Sequence, residues 1–172
     1  MTDREYQTFG DQPAVRIEWA GLRDAEHLRP LLLALYRHDT PDAPEPSQEQ
    51  ADEHVALLLN SATPHRLAIA WDCDGLAIGL AAVAILTSVS DPRRERWRQI
   101  ELKELFVLPS HQNKGVGESL FNWIEKEAHA AGACRLDWHV RSDNALGIAF
   151  YLRLGGTMVE NRSSMRKSLI GF

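Results

Sequence analysis

The strongest constraint in this sequence is a junction near its middle. A β-rich run ends at Leu108-Pro109, a short polar loop follows, and Gln112-Asn113-Lys114-Gly115-Val116-Gly117 leads directly into an amphipathic helix. That helix gathers Leu120, Phe121, Ile124 and Ala128 on one face. A helix N-terminus carries unpaired amide N–H groups and a partial positive charge. Glycines beside it remove side chains, so a phosphate can approach the backbone closely. Lys114 adds a point charge at the rim. The same glycines could equally make a plain tight turn between strand and helix. Two better-known phosphate loops are excluded: no Gly-Lys-Ser/Thr ends the segment, and the third glycine of a dinucleotide fingerprint is replaced by Leu120.

The rest of the chain is organised around this junction. Residues 1–12 are polar and expected to be a flexible tail, with a single domain over 13–172. Ala14 to Trp19 reads as a strand. Asp24 is a candidate N-cap for a helix marked by Leu28, Leu31, Leu32 and Leu35, in which Pro30 predicts a kink or a late start. Thr40–Pro46 holds three prolines and reads as a loop. Ser47 with Gln50 forms a capping box that opens a helix to about Leu59. Arg66–Asp72 and Leu76–Thr87 read as a hairpin through the Asp72-Cys73-Asp74-Gly75 turn. Ile100–Val107 is a third strand, after a charged connection over Ser90–Arg98. Helix (Gly115–Ala131), strand (Cys134–Val140), helix (Asn144–Leu154) and a short strand from about Thr157 follow. A hairpin-rich first half with a strand–helix–strand second half predicts an α/β (α+β) fold: a central mixed sheet flanked by helices.

The run Gln112-x-x-Gly115-x-Gly117 after a strand resembles the acetyl-CoA-binding motif of the GNAT superfamily of N-acetyltransferases, written Gln/Arg-x-x-Gly-x-Gly/Ala. Downstream, Asp143-Asn144-Ala145 and Phe150-Tyr151-Leu152-Arg153-Leu154-Gly155 resemble that family's second signature, an Asn before a helix ending in Phe-Tyr-x-x-x-Gly. Within the superfamily, Leu136-Asp137-Trp138-His139-Val140 followed by Ser142-Asp143-Asn144 looks most like the branch of spermidine/spermine and thialysine acetyltransferases. The resemblance implies a GNAT-type fold with a mostly antiparallel, twisted sheet splayed at the cofactor cleft, and acetyl-CoA as cosubstrate. It implies that the backbone of Leu105, Phe106 and Val107 pairs with the pantetheine arm. The amides from Gln112 through Asn113, Lys114, Gly115, Val116 and Gly117 to Glu118 would hold the pyrophosphate. Asn144 and Phe150 would lie along the cofactor, and Tyr151 would sit by the thioester sulfur. A homodimer is common in the family.

Amine acetylation needs a neutral amine, a polarised carbonyl and a protonated leaving thiolate. Tyr151 is the candidate acid, because a phenol with a reference pKa of roughly 10 can donate to a developing thiolate; otherwise it is a packed helix tyrosine. Glu104 is the candidate base, through water, with Glu101 as competitor. Three residues apart, the two face opposite sides of a regular strand, and a bulge could change that. Lys103 stands where the polyamine branch often has a carboxylate, a departure that bears on both the base and the acceptor. Asn144 could serve the cofactor, cap its helix, or do both. By family habit Tyr36, His38 and Asp39 would border the acceptor pocket, and His139 could line it. His111 reads as a loop residue.

Composition narrows the function classes. With 19 basic and 24 acidic residues the formal net charge is −5, a poor match to nucleic acid. The longest apolar stretch, Leu76 to Leu86, is shorter than the ~20 residues a membrane span needs. The N-terminus lacks the pattern of a signal peptide, so a cytoplasmic protein is expected. Cys73 and Cys134 read as buried free thiols. The seven histidines fall in no metal-ligand spacing, so no metal is expected. The leading reading is an acetyl-CoA-dependent N-acetyltransferase acting on a primary amine of a small molecule. A catalytically silent acyl-CoA sensor and a protein or peptide N-acetyltransferase are the alternatives.

Overall fold

The computed structural model describes residues 15–160 and 163–169. The expected tail at 1–12 lies outside them. Five strands form one sheet in the order β1-β2-β3-β4-β5: Arg16–Trp19, His65–Trp71, Ala77–Thr87, Arg98–Val107 and Leu136–Trp138. The first four are antiparallel neighbours, and β5 joins β4 in parallel. The sheet is therefore mixed and mostly antiparallel, as expected. Helices α1 (Ala25–Asp39), α2 (Gln48–Leu58) and α3 (Val116–Ala130) belong to the same compact unit, which ends at His139. A second unit begins at Val140 and contains α4 (Ala145–Arg153).

Strand β3 is buried from Ala77 to Ala84, which explains its nearly continuous apolar sequence. One face of the sheet places Leu80, Ala82 and Phe106 in a core with Leu28 and Leu31 of α1 and Val55 of α2. Val83, Ile100 and Leu102 point to the opposite face, where α3 packs and buries Leu120, Phe121 and Ile124. The Phe121 and Trp138 rings meet edge to face at 5.3 Å and fix α3 over β5. Gly79 sets how closely α3 can approach. A Cβ there would lie 2.9 Å from the Phe106 carbonyl oxygen and 3.2 Å from Leu120 Cδ1.

Several local expectations hold. Ser47 and Gln50 make both bonds of the capping box, at 3.2 and 2.8 Å. The Asp72–Gly75 turn closes with Asp72 N–H donating to the Leu76 carbonyl at 3.0 Å. Others need correction. Helix α1 starts at Ala25 and runs through Pro30, so its start is not delayed. Cys73 and Cys134 are exposed rather than buried, because one sits on the hairpin turn and the other before β5 begins. No strand forms at Thr157–Val159; Met158 and Val159 are exposed, with relative accessibilities of 65% and 59%. That segment has no alternating apolar face to bury. Strand β5 is also shorter than Cys134–Val140. Its last partner is Leu102, and an extra residue in β4 immediately beyond breaks the parallel register.

Replacing Gly79 by Ala drives a methyl group against the β4 backbone at Phe106 and against the Leu120 side chain of α3. The expected cost is about 1–3 kcal/mol of stability, measured by denaturant unfolding with an unchanged m-value.

Candidate active site

The extra residue in β4 organises one side of the site. Glu104 pairs with Ala82 of β3, but Leu102 pairs with Val83, so Lys103 is bulged. Glu101 pairs with Ala84. Ala82 and Ala84 are two apart on β3 and share a face, so Glu101 and Glu104 share it too. This answers the question left open by their spacing of three: the bulge brings both carboxylates to the face covered by α1. Asp39 ends α1 close enough for its charge to act on Glu104. The His38 and Phe106 rings lie 6.0 Å apart on the same side. Lys103 Nζ stands 3.0 Å from Glu101 Oε1, and His139 Nε2 is 3.6 Å from the same oxygen. The Tyr36 hydroxyl donates to the Pro44 carbonyl at 2.8 Å and ties down the loop after α1.

Although Glu104 still reaches solvent, the protein around it pushes its carboxyl above the ordinary value. The negative charge of Asp39 adds to the rise and Lys103 opposes it. A carboxylate held up in this way is a stronger proton acceptor near neutral pH than an ordinary surface glutamate.

The second feature is an open strand edge. Only Ile100, Glu101 and Leu102 of β4 pair with β5. Leu108 N–H donates to the Ile78 carbonyl at 2.9 Å, which fixes the alternation of the antiparallel ladder. Phe106 and Glu104 therefore exchange bonds with β3, while the N–H and C=O groups of Leu105 and Val107 point the other way, past the end of β5. Gln112 Nε2 donates to the Val107 carbonyl at 3.0 Å and pins the following loop to the strand end.

That loop delivers the third feature. Asn113 (φ 59°) and Gly115 (φ 79°) are both left-handed, flanking Lys114. Backbone that alternates hand turns successive N–H groups toward a common point and makes an anion nest. Gly115 caps α3 without any side-chain hydrogen bond, and the first intrahelical bond runs from Ser119 N–H to the Gly115 carbonyl at 2.9 Å. The amides of Val116 and Gly117 precede the first intrahelical bond. Lys114 Nζ donates to the Ser110 carbonyl at 2.9 Å, holding its charge at the rim. His111 ends a single 3-10 turn over Pro109–His111, and its Nδ1 contacts Ser110 Oγ at 2.9 Å.

In the unit that begins at Val140, Asn144 caps α4: its Oδ1 accepts from Gly147 N–H at 2.8 Å. The half-buried Tyr151 meets Phe150 edge to face at 5.0 Å. Among the described residues no cluster of His, Cys, Asp or Glu could hold a metal ion, and no helix is long and apolar enough to cross a membrane. Sequence reasoning had no use for Gly79 and gave Asn113 no conformational role. Asparagine is one of the few residues that tolerates a left-handed position, a signal present in the sequence.

A sequence model of the acetyltransferase (GNAT) family matches residues 32–156, well over half of the chain. The chain belongs to the acetyltransferase (GNAT) family. Membership makes this GNAT protein an N-acetyltransferase. No curated protein matches it. Among solved structures, an integron cassette protein from the mobile metagenome of V. cholerae superposes with a TM-score of 0.79 at 21% identity, covering 90% of this chain and 92% of the other. The aminoglycoside N-acetyltransferase AAC(6′)-Iy, solved in complex with CoA, superposes at 0.70 with 21% identity, covering 93% and 99%. A ribosomal-protein-alanine N-acetyltransferase from Brucella melitensis biovar Abortus gives 0.70 at 19% identity, covering 90% and 100%. At these identities the three establish a shared fold.

Because the folded protein raises the Glu104 carboxyl, its ionisation opposes folding above the ordinary carboxylate range. Below that range both states are protonated and the penalty is absent. Glu104→Gln is therefore expected to melt at a higher temperature than the parent at pH 7.5. The advantage should shrink to nothing as the pH falls below about 4, which paired calorimetric scans would reveal.

Proposed function

We propose that this GNAT protein uses acetyl-CoA to acetylate a primary amine of a small molecule, by direct attack in a ternary complex. The observation that carries the reading is the continuous run from the open edge of β4 at Leu105–Val107 into the left-handed turn at Asn113–Gly115. A coenzyme with an amide-rich arm and a diphosphate matches both parts in order. The N–H and C=O of Leu105 and the N–H of Val107 are suited to bond the arm as an added strand, the Val107 carbonyl being already met by Gln112. The nest and the amides through Glu118 are suited to the diphosphate, with Lys114 leaving Ser110 to join them.

When bound, acetyl-CoA supplies an activated acetyl group. Glu104, with its raised carboxyl, takes the proton of the acceptor ammonium through water and leaves a neutral amine. A backbone N–H of the open edge near Leu105 polarises the thioester carbonyl, since that of Phe106 is committed to β3. Tyr151 is assigned the proton of the departing thiolate on its place in the Phe-Tyr-x-x-x-Gly signature, and Asn144 a contact to the arm on the same ground. Asp39 contributes by making the Glu104 carboxylate a stronger proton acceptor and by attracting a cationic acceptor. AAC(6′)-Iy, which shares this fold, has been solved in complex with a bisubstrate analogue, CoA-S-monomethyl-acetylneamine. A homodimer in the cytoplasm belongs to the same reading.

Thiol release from acetyl-CoA against polyamines, amino acids, aminoglycosides and peptides tests it. Release is expected with at least one small amine, and Tyr151→Phe should lower kcat about 100-fold with CoA affinity retained. Coenzyme binding without release on any amine would favour the sensor. Release on peptides alone would favour a protein acetyltransferase.

A further inference from the structure

We propose that Lys103 is a specificity-determining residue: seated on Glu101, it masks the carboxylate of the acceptor face best placed to receive a second cation, and it restricts the acceptor to an amine without another positive charge nearby. This rests on the reading that the Glu104 face receives the acceptor.

The bulge is the origin of the device. A regular β4 would place Glu101 and Glu104 on opposite faces. With Lys103 inserted, the two carboxylate stems share the face of α1, two β3 positions or roughly 7 Å apart along the strand. Asp39 adds a third negative charge beside Glu104. Such a face, left alone, would suit a short diamine, one ammonium at Glu104 and the other at Glu101. Lys103 changes that outcome. Its ammonium is already 3.0 Å from Glu101 Oε1, in the place a distal ammonium would take. The other neighbour of that oxygen is His139 at 3.6 Å, which carries charge only when protonated.

Burial makes Glu101 the consequential partner. Its side chain is 21% exposed, against 43% for Lys103 and 82% for His139. A charge met in that partly desolvated place counts for more than one met in bulk water. The pair itself adds little to folding, because one end is close to half exposed. Its effect falls on recognition instead: a dicationic acceptor must either displace Lys103 or bring its second charge up against it.

The test is calorimetric titration of the full chain with butylamine and with putrescine, a monoamine and a diamine of equal carbon count. The parent, Lys103→Arg, Lys103→Met and the Lys103→Met/Glu101→Gln double variant are compared after their folding is checked by circular dichroism. Lys103→Met should improve putrescine binding relative to butylamine by about fivefold. Lys103→Arg should keep the parent ratio, and the added Glu101→Gln should abolish the gain. An unchanged ratio in Lys103→Met, a gain that survives Glu101→Gln, or no binding of either amine to any of the proteins overturns the assignment. Absence of thiol release on every amine would instead overturn the enzymatic reading and leave the binding ratio to decide the role of Lys103.

Discussion

One extra residue in β4 separates the two tasks of this sheet. Up to Leu102, β4 is an interior strand, held between β3 and β5 and buried beneath α3. At Lys103 the register slips by one against β3. The side chains that follow change face, so Glu104 and Phe106 join the α1 side while Ile100 and Leu102 remain under α3. Strand β5 ends at the same point, since a parallel partner cannot follow a strand through a bulge without losing its hydrogen bonds. A single insertion thus creates an open backbone edge and turns a carboxylate toward the end of α1.

The packing around that point serves to hold it still. Gly79 lets Leu120 lie against the sheet, which brings the start of α3 close to the end of β4. Gln112 ties the loop to the Val107 carbonyl, and the left-handed residues Asn113 and Gly115 complete the turn within a few residues. Open edge and anion nest are therefore neighbours along the chain, joined by a short constrained loop. The arrangement uses backbone groups, so it places little demand on which side chains surround it. The face proposed to receive the acceptor is different in kind. It is made of side chains, Asp39, Glu101, Lys103 and Glu104, and there a single substitution changes the charge offered to an incoming amine.

Much of this was legible in the sequence, for identifiable reasons. The junction of strand, glycine turn and amphipathic helix was readable because each part has its own period or its own conformational demand. The capping box at Ser47 and Gln50 and the turn at Asp72–Gly75 were readable because local side-chain chemistry closes them. Glu104 could be singled out as a carboxylate in an otherwise β-rich run, but its facing could not, because a bulge leaves no mark in a pattern of alternating residues. Cys73 and Cys134 were misjudged for a related reason: apolar neighbours along the chain say little about burial at a turn or a strand start. The strand expected at Thr157 followed only from alternation of elements, without a buried face to support it. Gly79 gave no signal, since its role depends on Leu120 and Phe106, far away in sequence.

The most direct measurement is a titration of the isotope-labelled protein with CoA, followed by backbone amide chemical shifts. Saturable binding is expected, with the largest shifts at Asn113 through Glu118 and a second set at Leu105 and Val107. Binding that leaves those amides unmoved, or no binding at all, would contradict it.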